Sequence, residues 1–290
     1  QNWDIDQDKN GNLYFANNNG LLKYDGSSWS KYNTSNSIEI RSLKIDNSGK
    51  IFVGCYNEFG YFKSNAKGKL EYFSISKNLS KDVLKDIEYI WKIHIINKEV
   101  IFQSFARVFI YKEGKVTTIE APNRLQFSFI VNNHLYLQDM NLGILEYKNG
   151  KLYTLKNATT LNNTEIWGMF PLPDNKILIT TIDKGLFIYD HATIQPWNTE
   201  VNNFIKKNSS LGGASIGDKF IALNTVLNGI IICDLKGNII QHINRKKGLQ
   251  NNTVLTSFLD NNKNLWLGLD NGITFVNENS PFTYFGFSYN

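Results

Sequence analysis

Apolar and polar residues alternate along much of this chain with the two-residue period of a β-strand. Trp3 and Ile5 alternate with Asp4 and Asp6, and Trp91, Ile93 and Ile95 alternate with Lys92 and His94. Other strands read as short apolar runs, such as Phe52-Val53-Gly54-Cys55 and Ile230-Ile231-Ile232-Cys233. Asn-Gly and Asp-x-x-Gly clusters separate them and supply the positive-φ residues of tight hairpins. Helical spacing is sustained nowhere at useful length. The one helix candidate is a polar insertion from Ser80 to Asp86.

The strands recur as a unit. Trp3 to Phe15, with the turn Asp8-Lys9-Asn10-Gly11, matches Leu255 to Leu267, with the turn Asp260-Asn261-Asn262-Lys263. Each is followed by an Asn-Gly pair and a third strand, at Asn19-Gly20-Leu21-Leu22 and Asn271-Gly272-Ile273-Thr274. Five weaker copies lie between, so repeats start near residues 3, 41, 91, 127, 167, 212 and 255. Glycines open the third strand at 20, 60, 143, 185, 229 and 272; the copy near 91 lacks one at Ala106-Arg107. Four short strands in each period of roughly 40–45 residues is the signature of a propeller blade. The expected fold is all-β: a seven-bladed β-propeller of four-stranded antiparallel blades, filling residues 1–290 as a single domain. A β-sandwich is the alternative. The copies run in phase, so no leftover strand completes a blade shared by both termini. Closure then falls to packing between the first and last blades, or to residues outside this segment.

Composition narrows the function classes. With 42% hydrophobic and 13% aromatic residues the chain has ample material for a core, which excludes a disordered segment. No apolar run reaches the roughly 18 residues of a membrane span. The net charge of +5 is scattered, and its longest basic cluster is Arg245-Lys246-Lys247. That is no stripe for nucleic acid. Cys55 and Cys233 sit inside strand-like runs and read as buried thiols. The chain starts almost at once with a strand, and Pro281 to Phe287 still reads as one. It is therefore expected to be a segment excised from a longer protein.

Familiar chemistry is sparse. Asp6-x-Asp8-x-Asn10-Gly11 matches the first half of a calcium loop, but its twelfth position is Asn17 rather than a bidentate acid, so a polar hairpin turn is expected there. His94, His134, His191 and His242 show no metal spacing. No nucleophile elbow, Cys-His pair or phosphate loop is present. The sequons at Asn33, Asn157 and Asn208 are expected by chance in a chain with 39 Asn. The expectation is no catalytic residue, no metal, no cofactor and no enzymatic activity in this segment.

Topology gives a better candidate site. In an up-and-down blade, the start of the first strand and the loop after the second lie at one end, around the mouth of the central channel. Trp3, Arg41, Trp91, Phe127, Trp167 and Leu255 fall at equivalent first-strand starts. The loops after the second strands bring Asn18, Tyr56, Glu58, Phe105, Arg107, Asp139, Asp183 and Asp270 to the same end. Flat aromatic faces beside polar groups suit a sugar. The candidate ligand-binding set is Trp3, Arg41, Tyr56, Trp91, Arg107, Asp139, Trp167 and Asp183. Interblade packing is the competing role for the tryptophans.

One string also carries a family resemblance. Gly248-Leu249-Gln250-Asn251-Asn252-Thr253-Val254, followed by Asp260-Asn261-Asn262-Lys263-Asn264-Leu265-Trp266-Leu267-Gly268 and Asn271-Gly272, resembles the two-component-regulator propeller repeat. Asp8 to Gly26 resembles it nearly as well, whereas copies three to six lose the Asp, the Trp or the Gly. The resemblance spans the chain as a period and about three copies as a motif. It implies a periplasmic sensor propeller followed by further propeller or triple-tyrosine β-sandwich domains, a membrane span, and a kinase or helix-turn-helix output. It also implies an oligosaccharide ligand, a homodimeric full-length protein, and no nucleic acid on this segment. A protein-interaction scaffold and a propeller lyase or glycosidase are the alternatives.

Overall fold

A strand covered on both faces needs apolar residues at every position, whereas a half-exposed strand alternates. Both kinds occur in each repeat of the structure, a computed structural model that describes residues 1–35, 39–85 and 87–276. The first blade is β1 (Asn2–Gln7), β2 (Leu13–Asn17), β3 (Gly20–Tyr24) and β4 (Trp29–Tyr32). The second is β5 (Ile40–Ile45), β6 (Ile51–Cys55), β7 (Phe59–Ser64) and β8 (Leu70–Ser74). The third is β9 (Lys92–Ile96), β10 (Glu99–Gln103), β11 (Arg107–Lys112) and β12 (Lys115–Glu120). The fourth is β13 (Leu125–Val131), β14 (His134–Asp139), β15 (Gly143–Lys148) and β16 (Lys151–Thr154). The fifth is β17 (Ile166–Pro171), β18 (Ile177–Thr181), β19 (Leu186–Tyr189) and β20 (Ile194–Pro196). The sixth is β21 (Ser210–Ile216), β22 (Phe220–Thr225), β23 (Ile230–Asp234) and β24 (Ile239–Ile243). The seventh shows β25 (Val254–Leu259), β26 (Leu265–Leu269) and β27 (Ile273–Val276). Each sheet is an antiparallel meander in chain order. The protein is an all-β, seven-bladed propeller. The strand read at Pro281 to Phe287 lies outside the described residues.

The core is distributed between blades. Seven apolar clusters form, each where two neighbouring blades meet. Successive side chains of a strand point to opposite faces, so one second strand feeds two clusters. Leu13 and Phe15 face the seventh blade, while Tyr14 and Ala16 face the second. Ile177 and Ile179 face the fourth blade, and Leu178 between them faces the sixth. Strands β2, β6, β18 and β26 are accordingly buried at every position. Cys55 and Cys233 are buried in two different clusters.

Among the described residues the ring closes without an exchanged strand. The seventh cluster joins Ile5, Leu13 and Phe15 of the first blade to Trp266 of the last. Across the same seam Asn2 Nδ2 donates to the Gly272 carbonyl at 2.8 Å. Gln1 Nε2 donates to Asp270 Oδ1 at 2.7 Å, and Asn261 N donates to Gln7 Oε1 at 2.8 Å. Packing and side-chain hydrogen bonds hold the two ends together.

The turn chemistry follows the sequence. Asp8 Oδ1 accepts from the amides of Asn10 and Asn12, both at 2.9 Å. Asp260 repeats this with Asn262 and Asn264 at 2.9 and 2.8 Å. The Asp8 carboxylate thus builds a hairpin. Among the described residues, eight of the fifteen non-glycine positive-φ residues are Asn, the residue most tolerant of that conformation after glycine. The periodic glycines have a second cause. At Gly143 (φ +84°) a Cβ would fall 2.0 Å from the Ala158 carbonyl oxygen, and at Gly229 (φ +73°) 2.1 Å from that of Ile243. The start of the third strand passes directly beneath the chain that leaves the fourth.

Among the described residues two α-helices interrupt the pattern. The first, α1 (Lys81–Leu84), falls inside the expected insertion, and Ser80 Oγ caps it by accepting from Val83 N. Asp86, the end of that candidate, lies outside the described residues. The second, α2 (Glu200–Asn208), corrects the expectation of a single helix. Thr199 caps it, and Val201 and Ile205, one turn apart, are buried between the fifth and sixth blades. Nine residues carry too few apolar positions for their period to stand out.

Candidate binding site at the mouth of the ring

The first strands form the inner wall, since each touches the first strand of the next blade all the way around. Their starts are not regular. Asn2 pairs with Asn17 and Asp4 with Ala16, leaving Trp3 as an extra residue. Arg41, Trp167 and Leu255 are extra residues in the same way, between Ile40 and Ser42, Ile166 and Gly168, and Val254 and Thr256. Such β-bulges bend the strand and re-aim a side chain. Gln126 and Phe127 occupy the corresponding irregularity in the fourth blade. Five of the six positions aligned by sequence are therefore bulge positions, which present side chains at the mouth instead of along the wall, and the sixth, Trp91, immediately precedes the regularly paired β9.

These side chains meet. Trp3 and Trp91 contact edge to face with ring centres 6.1 Å apart. Trp91 stacks on Phe105 at 5.3 Å, and Phe127 meets Trp91 at 6.0 Å and Trp167 at 4.8 Å. The Arg41 guanidinium lies 4.2 Å from the Trp3 ring centre, 4.7 Å from that of Tyr89 and 5.9 Å from that of Trp91. It also donates to Asn18 Oδ1 at 2.8 Å and Glu39 Oε2 at 3.1 Å. Asn18 Oδ1 accepts from Trp3 Nε1 as well, at 2.7 Å, and Tyr89 donates to Glu39 at 2.8 Å. The result is an aromatic crescent from the first blade to the fifth, with one guanidinium clamped inside it. At the sixth blade the corresponding irregularity carries Leu211 and Gly212, and at the seventh Leu255. One side of the mouth is therefore flat and π-rich and the other aliphatic. Two groups in it, Arg41 Nε and Trp91 Nε1, are buried with no hydrogen-bond partner among the described residues.

The other expected residues are placed differently. Tyr56 reaches the crescent through an edge contact with Tyr89 at 5.1 Å and is half exposed. Arg107 turns away: it donates to Glu120 Oε1 at 2.6 Å and to the carbonyls of Val83 and Lys85, so it holds α1 against the third blade. Asp139 is buried and accepts from the amides of Asn123, Asn141 and Leu142, fastening two loops together. Asp183 is exposed on the loop after β18. Glu39 and Tyr89 belong to the cluster and were not anticipated. Both lie in connections between blades, where the repeat gives no alignment.

Below the crescent the wall is charged. Asp6 Oδ2 pairs with Lys44 Nζ at 3.0 Å and accepts from Ile45 N at 2.9 Å. Asp4 Oδ2 accepts from Leu43 N at 3.1 Å. Burial pushes the Asp4 carboxyl above its ordinary value, against the opposing pull of Lys92. His94 Nε2 lies 2.9 Å from Ser128 Oγ, which itself donates to Gln103 Oε1 at 3.1 Å. The hydroxyl proton is thus spent, and the imidazole Nε2–H donates to Ser128. Burial, reinforced by the Lys92 and Lys44 charges, pushes the imidazole down to about 3. Between that value and the unfolded value of about 6.5 the unfolded chain takes up a proton that the folded chain refuses, so stability falls as pH falls. Asp4 acts in the opposite direction: below its raised value the folded state holds the extra proton. The expected net result is a thermal midpoint that drops between pH 6.5 and 4.5, with a shallower drop in His94→Gln. Equal slopes in the two proteins would remove His94 from this account.

Comparison with known proteins places the fold. No family model and no curated protein matches the chain. Among solved structures, the extracellular domain of BT4673 from B. thetaiotaomicron, a candidate hybrid two component system, superposes with a TM-score of 0.74 at 21% identity. The match covers 96% of this chain and 38% of that one, so the chain spans well under half the length of that relative. A streptogramin B lyase superposes with a TM-score of 0.75 at 15% identity, over 95% of this chain and 93% of the lyase. Virginiamycin B lyase from Staphylococcus aureus gives 0.70 at 15% identity, over 92% and 91%. At these identities the likeness is one of fold. The lyases nevertheless correct the expectation that this segment is no enzyme, because the same propeller, over almost its whole length, carries catalysis in them. The chain is a seven-bladed propeller of the architecture shared by the extracellular domain of BT4673 and by streptogramin B lyase.

Proposed function

We propose that this chain is the ligand-binding propeller of an extracytoplasmic sensor and that it takes a glycan at the aromatic mouth. The observation that carries this reading is the crescent of Trp3, Trp91, Phe127 and Trp167 around Arg41. Flat π faces offer a sugar ring its stacking surface, and Arg41, Asn18 and Glu39 offer partners for hydroxyls. The proposed site is Trp3, Arg41, Tyr56, Trp91 and Trp167, with Tyr89 added and Arg107 and Asp139 left out, because their side chains are committed to α1 and to loop amides. The fold of the BT4673 extracellular domain and the repeat string around Trp266 support a periplasmic location within a longer, dimeric signalling protein. Binding would bias one arrangement of domains or protomers, which requires tighter binding to that arrangement than to the other.

A second reading is cleavage of the bound molecule. It is favoured by the lyase fold and by the wall beneath the mouth, where the shifted Asp4 and His94 mark candidate chemistry beside Lys44 and Lys92. One experiment separates the two. The chain is incubated with neutral and acidic oligosaccharides while ligand-observed NMR reports binding and mass spectrometry reports products. Binding with the ligand intact supports the sensor; new products that vanish in His94→Gln support the second reading.

A further inference from the structure

We propose a second binding site, on the rim of the ring between the outer strands of the second and third blades, for a small amphipathic carboxylate. A cavity of about 570 Å³ lies there, within the size range of small-molecule sites. One wall is aromatic. Tyr61 and Phe73 stack with ring centres 5.4 Å apart and planes 19° from parallel, and Phe52 backs both Tyr61 and Tyr111. Phe73, 43% exposed on the edge strand β8, turns one face to the cavity. Leu79 and Val116 add aliphatic surface.

The charge of the site fixes the class of occupant. Lys77 and Lys115 line the cavity, and among the described residues no acidic side chain does. Lys50 Nζ sits 5.0 Å from the Tyr61 ring centre, just behind the wall. Glu71, on the same face of β8 as Phe73, has its carboxylate held by Asn65 Nδ2 at 2.8 Å. An apolar floor with cations at its edge suits an apolar or aromatic body ending in one anionic head. Such a ligand buries its body against Phe73, Leu79 and Val116 and leaves its carboxylate with the two lysines. A sugar would meet too few hydrogen-bonding groups on the aliphatic side, and a cation would meet like charge. The site is built from β7, β8, β11, β12 and the turn after β8, and shares no residue with the mouth.

The probe is anilinonaphthalene sulfonate, an aromatic anion whose fluorescence rises in an apolar site. Wild-type protein is expected to enhance it, with decanoate displacing it and decylammonium failing to. The variants Phe73→Ala and Lys77→Glu/Lys115→Glu change exposed positions. Each is expected to weaken probe and decanoate at least about tenfold with an unchanged thermal midpoint, and Trp167→Ala at the mouth is expected to bind as wild type. Unaltered affinity in the lysine variant, or equal displacement by decylammonium, overturns the proposal.

Discussion

Trp266→Ala is expected to lower the midpoint of thermal unfolding by roughly 10 °C. Trp266 is the buried side chain that the last blade contributes to the cluster at the closing seam, where the partly buried Phe258 and Ile273 of the same blade pack against it. Its indole meets Phe15 at 6.1 Å, Tyr24 at 5.8 Å and Phe275 at 4.9 Å, and its Nε1 donates to Asp260 Oδ2 at 2.9 Å. Truncating a buried aromatic costs about 3–5 kcal/mol, and each kcal/mol shifts the midpoint of a domain of this size by about 2–4 °C. Here the loss falls at the seam between the first and last blades, so it is expected to ease opening of the ring there. Trp266→Phe restores most of the packing but not the bond to Asp260, and should cost only about 1–2 kcal/mol. Trp29→Ala removes a half-exposed ring from the neighbouring outer strand and should cost less than either. Differential scanning calorimetry on the three variants checks the order; Trp266→Ala at the wild-type midpoint would mean that the seam is held by other contacts.

Arg41→Ala should cost about 3 kcal/mol of stability and abolish binding at the mouth. The guanidinium is 10% exposed, lies between the Trp3 and Tyr89 rings, and forks to Asn18 and Glu39. Removing it leaves a carboxylate and an amide oxygen short of a donor and takes a cation off two aromatic faces, each loss worth about 1–2 kcal/mol. Lysine is no substitute, because an ammonium neither stacks flat nor forks. Arg41→Lys is therefore expected to recover less than half of the lost stability. Full recovery by lysine would show that charge alone matters there.

The legibility of this molecule in its sequence follows which features are periodic. The blade count was readable because the Asn-Gly pairs and third-strand glycines recur, and Gly20, Gly60, Gly143 and Gly229 are each enforced by a close backbone approach, such as Gly143 beneath Ala158. The doubly buried second strands were readable as apolar runs for the same reason. The bulges were not, since an extra residue changes register without changing composition. Asp4 and His94 read as ordinary polar positions of alternating strands, because nothing local says that their polar side faces a confined channel. Arg107 and Asp139 were expected on loops and fall instead at the first residue of β11 and the last of β14, beside those loops, and a position along the chain fixes a backbone and not a rotamer. Their partners, α1 carbonyls and loop amides, come from segments that do not repeat. Helix α2 was missed because Val201 and Ile205 make one apolar turn and no more.

The measurement that bears most directly on the mouth is a thermal-unfolding series with a panel of oligosaccharides at millimolar concentration, run in parallel on wild type and Trp167→Ala. A ligand that binds only the folded state adds about 2.7 kcal/mol at one hundred times its dissociation constant. The account predicts a raised midpoint with one class of glycan in the wild type and little or no rise in Trp167→Ala, whose own midpoint without ligand stays within a few degrees. A flat response across the panel, or an equal rise in both proteins, would contradict glycan binding at the mouth.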